Sequence, residues 1–153
     1  MKTKMTNAGF TLVEILIVVV ILGILAAIVI PQFTQASTEA RENSLRANLQ
    51  TMRSQIELYK IQHNDDMPAT VSGVDFEDAM TGYTLITGAS CAQTATNALG
   101  PYIQQLPENP FTNVSTVGEV TVDTGLGDAA TGWEFNTLTG QFHADDDAVH
   151  CLW

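Results

Sequence analysis

The sequence predicts an α+β protein: one long N-terminal α-helix, apolar in its first half and amphipathic in its second, packed on a small antiparallel β-sheet. Three observations predict it. From Ile15 to Ile30 every residue is apolar or glycine. From Leu45 to Tyr59 apolar residues recur at helical spacing: Leu45, Leu49, Met52, Ile56 and Tyr59. Beyond Met67-Pro68 the chain breaks into short runs separated by Gly, Asn, Asp and Pro, the pattern of strands and turns.

Met1 to Gly9 is short and polar, with Lys2 and Lys4. The apolar segment from Phe10 to Ile30 follows, long enough at about 1.5 Å per residue to cross a bilayer as a helix. Two lysines before it and an excess of acids after it place its N-terminal end in the cytoplasm and the rest across the membrane. A secretory signal peptide also starts basic and then apolar, but this run is long for one and contains Glu14. A carboxylate at the centre of a membrane helix costs about 2.5–3.5 kcal/mol, less near an end, and calls for a cationic partner. No Lys or Arg lies between Phe10 and Arg41, so the candidate cation is an α-amino group of a chain beginning nearby. Gly23 and Pro31 weaken the helix and predict a kink or local melting.

The amphipathic half runs to about His63, giving a predicted helix over residues 11–63 that stops before Pro68 because a residue preceding proline leaves the helical region. Its stripe predicts packing on the chain's own sheet. Glu42–Arg46 and Glu57–Lys60 are helix-spaced ion pairs worth a few tenths of a kcal/mol each. The head then reads as a helical turn at 74–80, a strand at 83–87, a helix at 93–106 broken at Gly100-Pro101, a strand at 119–123, and strands at 133–136 and 141–144 joined by Thr137-Leu138-Thr139-Gly140 as a hairpin. Residues 149–153 close the chain.

The net charge is −11, and all six Lys and Arg lie between Lys2 and Lys60. Thirteen acids lie beyond Lys60, a surface that repels nucleic acid and suits cations or a basic patch on a neighbour. Cys91 and Cys151 suggest a disulfide formed outside the cytosol, stabilising by roughly 4 kcal/mol on the chain-entropy model. Two free thiols are the alternative, and zinc with His143 and His150 a third that no ligand spacing supports. No Gly-x-Ser-x-Gly, P-loop or His-Glu-x-x-His is present, and His63, His143 and His150 have no spaced partners, so an enzyme is not expected.

Gly9-Phe10-Thr11-Leu12-Val13-Glu14, followed by the apolar run and Pro31, resembles the processing signal of the type IV pilin superfamily, which includes the pseudopilins of type II secretion. The resemblance implies the type IV pilin fold and four parts: a leader over 1–9, a transmembrane assembly helix over 10–31, an amphipathic stalk over 32–64 and a periplasmic or extracellular head over 65–153. It implies that a prepilin peptidase cuts between Gly9 and Phe10 and N-methylates Phe10, leaving 153 − 9 = 144 residues. Glu14 would pair with the Phe10 amine of the next subunit, setting the register of a homopolymer. Gly23 and Pro31 would allow the helix to unwind in a stretched fibre. The implied partners are further copies of the chain, the peptidase, an inner-membrane assembly platform and minor pilins or pseudopilins.

The stretch Gly100-Pro101-Tyr102-Ile103, with Leu106-Pro107 and Pro110-Phe111, is similar to the connecting segment of major pseudopilins. Those proteins end in a calcium-binding loop; the candidates here are Asp123, Asp128, Asp145, Asp146 and Asp147, although their spacing departs from that loop. Calcium is a hard ion that takes six to eight oxygens. A subunit of a type II secretion pseudopilus is the function the resemblance favours. A pilin of an extracellular type IV pilus is the alternative, supported by a Cys91–Cys151 disulfide. A monomeric binding protein on a single membrane anchor is a more distant one.

Overall fold

The computed structural model describes residues 9–122, 127 and 129–153. They form two compact units, one ending at Ala40 and one spanning Arg41–Trp153. Helix α1 (Leu12–Gln62) contributes residues to both. The division falls inside the expected stalk because the buried stripe of α1 begins only at Leu45.

From Leu12 onward the first unit is helix, with a stretch long and apolar enough to cross a membrane. It starts at a capping box. Thr11 Oγ1 accepts from Glu14 N at 3.2 Å, while Glu14 Oε2 accepts from Thr11 N at 2.7 Å. The orphan donors of the first turn are thereby satisfied reciprocally. The helix is continuous through Gly23 and Pro31. Beyond the proline, Thr34 Oγ1 donates to Ile30 O at 3.3 Å and Thr38 Oγ1 to Thr34 O at 3.1 Å.

In the second unit α1 buries the expected stripe: Leu45, Leu49, Met52, Ile56 and Tyr59 are each at most 2% exposed. The helix ends before Pro68 is reached. Asn64 and Asp65 take left-handed backbone angles, and Asp65 N donates to Lys60 O at 2.9 Å, a closure typical of helix C-termini. Helix α2 (Phe76–Thr81) lies within two residues of the predicted turn, and Asp75 caps it by accepting from Asp78 N at 2.8 Å.

The sheet has order β1-β2-β3, with β1 Val117–Val120, β2 Trp133–Asn136 and β3 Phe142–Ala144. The predicted hairpin forms: β2 and β3 pair antiparallel, Glu134 opposite His143. Asn136 Oδ1 accepts from Leu138 N and Thr139 N across the turn, and Gly140 adopts φ 74° there. The sheet is nevertheless mixed rather than wholly antiparallel, since β1 pairs β2 in parallel. Residues 121–132 supply the dozen that a parallel crossover needs, and the hairpin already occupies the other edge of β2.

Two further expectations are corrected. Residues 83–87 form no strand; Thr84 makes only isolated bridges to Ser90 and Leu99. Residues 93–106 form no helix. Ala95 N and Ala98 N close only single turns, on Ala92 O and Ala95 O; Asn97 is left-handed, and Tyr102 N and Ile103 N both donate to Met80 O of α2, at 2.9 and 3.1 Å. Gly100 at φ 92° places its backbone against Gly82, where a Cβ would lie 2.6 Å from the carbonyl oxygen.

Phe76, Met80, Leu106, Trp133, Phe135 and Phe142 pack on the α1 stripe as one core. Phe142 stacks between Trp133 and Phe76, with ring centroids 5.5 and 5.6 Å away. Fully burying each such side chain stabilises by about 1.5–3 kcal/mol.

Candidate functional site

The first candidate is the N-terminal segment. Gly9 and Phe10 are exposed, Phe10 at 85%, so the backbone between them is open to a peptidase. Four residues on, Thr11 Oγ1 also donates to Glu14 Oε2 at 2.8 Å, so the Glu14 carboxylate folds back on its own helix start. The Thr-x-x-Glu spacing announces this cap in the sequence, where Glu14 otherwise stands out only as an acid in search of a cation. The apolar side chains of Leu12 to Phe33 lie on every face and all are well exposed. A Cβ built on Gly23 would meet nothing within 4 Å, so no contact within the chain requires glycine there.

The second candidate is the acidic run at 145–147. Asp145 is buried; Oδ1 accepts from Gly127 N at 3.0 Å, and Oδ2 from Thr131 N at 2.8 Å and Thr131 Oγ1 at 2.9 Å. Asp146 Oδ1 accepts from Asn109 Nδ2 at 3.2 Å, and Oδ2 is in contact with His150 Nδ1. A carboxylate can only accept, so the proton of that bond sits on His150 Nδ1. Asp147 Oδ1 accepts from Val149 N and His150 N, both at 2.7 Å, capping the 3₁₀ turn His150–Leu152. These bonds, led by the His150 N–H, hold the Asp147 carboxyl below its ordinary range. Asp123 and Asp128 lie outside the described residues.

Asp146, Asp147 and His150 have one ligand atom each within 4.8 Å of the others, the spacing of a metal site. The donor set does not fit calcium. Five of the six carboxylate oxygens of 145–147 already accept from protein donors. The sixth, Asp147 Oδ2, lies 3.5 Å from the same His150 Nδ1. Calcium requires an oxygen cage, whereas one of the three clustered ligand atoms here is the His150 nitrogen.

Around this turn the structure gathers residues that the sequence reading passed over. Asn109 is wholly buried; its Nδ2 donates also to Gly132 O at 2.9 Å and its Oδ1 accepts from Phe111 N. An asparagine between Pro107 and Pro110 is a turn-forming signal that could have found it. Arg53 Nε and Nη2 donate to Phe142 O at 3.1 and 2.8 Å, and Nη1 donates to Trp153 O at 2.7 Å. The Arg46 guanidinium lies 4.1 Å from the Trp153 ring centroid, a cation–π contact. Nothing in the helical pattern marks these two arginines as clamps.

The expected Cys91–Cys151 disulfide is corrected: both are free thiols. Cys91 is fixed by its N–H to Tyr83 O at 2.8 Å, and the Cys151 thiol donates to Ala148 O at 3.3 Å within its own turn. Burial pushes the Cys151 thiol pKa up, with the nearby Asp147 adding to it. The histidines gather no catalytic constellation. His63 donates from Nδ1 to Tyr59 O and accepts from Thr84 Oγ1, both at 2.9 Å, inside the core. His143 Nδ1 donates to Cys151 O at 2.7 Å.

Residues 4–30 match the family described as the prokaryotic N-terminal methylation motif. The chain is similar to the type II secretion system core protein G of Vibrio cholerae serotype O1, 30% identical over 113 residues, which is 74% of this chain and 71% of that one. It is 32% identical over 104 residues to the protein of the same name from Klebsiella pneumoniae, covering 67% and 68% of the two chains. To the Pseudomonas aeruginosa protein it is 38% identical over 69 residues, 45% of this chain and 48% of the other. No solved structure matches it.

Proposed function

Because the chain belongs to the family of the type II secretion system core protein G, we propose that it is cut between Gly9 and Phe10, methylated on Phe10, and polymerised through its N-terminal helix into a short fibre raised from the inner membrane. It is a pseudopilin subunit of a type II secretion system, anchored in the membrane by its apolar helix and working in an assembly of pilin-like subunits. The head lies on the periplasmic side, with residues 1–9 cytoplasmic before processing. The prepilin peptidase and the inner-membrane assembly platform are its processing and assembly partners.

One observation supports this reading above the others. From Leu12 to Phe33 the helix exposes apolar side chains on every face, while the second unit has a complete core of its own. Lipid covers such a helix in the membrane, and copies of the same helix cover it in a fibre. Glu14 changes partner between the two. In lipid it is satisfied by the Thr11 cap; in the fibre the Phe10 amine of the next subunit offers it a charge. A monomeric anchored binding protein would need only the lipid, and capping the helix at Thr11 would be the whole role of that acid. The disulfide that favoured a surface pilus is replaced by two free thiols.

Intact mass of the protein extracted from membranes tests the processing. The expected species begins at Phe10 and carries one added methyl group. A chain beginning at Met1, or one beginning beyond residue 30, overturns the proposal.

A further inference from the structure

The 145–153 turn poses a question that filament assembly does not answer: what closes a loop carrying three consecutive carboxylates? Like charges this close repel, and a closed turn needs a counter-charge or a dense set of donors. A bound cation is the common solution. The described carboxylates leave it no oxygen cage, as the donor inventory above shows.

We infer that the imidazole of His150 takes the place of a metal ion in closing this turn. Its Nδ1 contacts Asp146 Oδ2 and lies 3.5 Å from Asp147 Oδ2, so one ring nitrogen serves two carboxylates. The pair is desolvated, with side-chain exposures of 9% for His150 and 4% for Asp146. The ring also packs on Phe111 at 4.6 Å and on Trp153 at 4.4 Å between centroids. Aromatic walls suit a flat imidazole ring and not a hydrated ion. Among the described residues the other charged groups around this turn include Arg46, over the Trp153 ring, Asp145, bonded to Gly127 and Thr131, and Glu134, which acts on the neighbouring Cys151.

The staple reaches beyond its own turn. Asp146 is tied through Asn109 to the 107–111 segment, and Trp153 is tied to α1 by Arg46 and Arg53. His150 sits at the join. Removing it leaves two acids facing each other, one of them buried, and unseats Trp153 from the ring it packs on.

Thermal unfolding of the full chain in detergent tests this, measured with EDTA and with millimolar calcium for the wild type, His150→Ala and His150→Gln. The wild-type midpoint is expected to be the same in both buffers. His150→Ala is expected to melt several degrees lower in both, and His150→Gln, which keeps an N–H donor, to fall between. A wild-type midpoint that drops in EDTA and recovers with calcium overturns the inference, as does a His150→Ala protein that melts with the wild type. If His150→Ala does not fold, the wild-type chelation arm and His150→Gln still decide. Filament formation enters none of these readouts, so the result is independent of the proposed function.

Discussion

The two halves of α1 are built from similar apolar residues and treat them in opposite ways. In the first half Leu12 is 82% exposed and Ile24 58%; in the second Leu45 and Met52 are 0% exposed. The difference lies in spacing. Apolar residues at every position cannot all face one partner, so the first half offers more greasy surface than its own chain can cover. Apolar residues at steps of three and four make one stripe, which α2 and the sheet cover completely. One helix thus carries a half that is finished on folding and a half that is finished only by lipid or by neighbours.

Mutations that act on one half alone test this contrast. The largest effect is expected from Glu14→Ala, with fibres and secretion lost while the head's unfolding midpoint stays at the wild-type value. Fibres that persist on electron micrographs would remove the assembly role of the acid. Met52→Ala should do the reverse, destabilising the second unit by about 2–5 kcal/mol through a core cavity. Denaturant titration of the full chain in detergent reads it, and a loss below about 1 kcal/mol would mean that the core collapses around the gap.

Arg53→Met keeps most of the buried stem and removes the guanidinium from Phe142 O and Trp153 O. A loss of about 1–2 kcal/mol is expected, together with faster hydrogen exchange in residues 150–152 than in the wild type. Unchanged exchange would show that the arginine does not hold that turn.

Smaller still is a pH effect. Burial, with Tyr59 alongside, raises the Tyr102 phenol to about 12. A folded value above the unfolded one of about 10 gives stability that is complete below the unfolded value and lost as pH rises through the folded one. The head should therefore weaken between about pH 10 and 12, and Tyr102→Phe should flatten that decline while losing the 2.8 Å bond to Gln62. Least of all, the lowered Asp147 carboxyl contributes stability that is present above the ordinary carboxylate range and lost on acidification. Asp147→Asn should reduce the acid sensitivity of the turn by a small amount, because half of that side chain is in water.

Much of the fold was legible because it rests on local pattern. The 51-residue helix, its buried stripe and the β2–β3 hairpin each announce themselves within a short window: an apolar run, a step of three and four, a Thr-Gly turn between alternating strands. The failures share a cause. Within residues 93–106 Ala95 N and Ala98 N close single turns, but Leu99 N bonds Thr84 O and the amides of Tyr102 and Ile103 bond Met80 O, so distant acceptors interrupt the helical run. The strand expected at 119–123 forms at 117–120, and no local pattern says whether it runs with or against β2.

The site divides the same way. Gly9, Phe10, Glu14 and the apolar run could be singled out because the roles proposed for them follow from order along the chain: a peptide bond to be cut, the α-amine that the cut would release, and an acid inside an apolar run. Sequence alone therefore determined that this protein has an anchor, a stalk stripe and an acidic head. Only the tertiary structure decided what holds the head shut. It set two cysteines apart as free thiols, turned three aspartates toward protein donors, and put His150 between two of them. Asp146 and Asp147 stand only four and three positions from His150, but the contacts that seat this turn on the rest of the head, such as Arg53 with Trp153 a hundred positions on, are set by the packed core and by no local pattern.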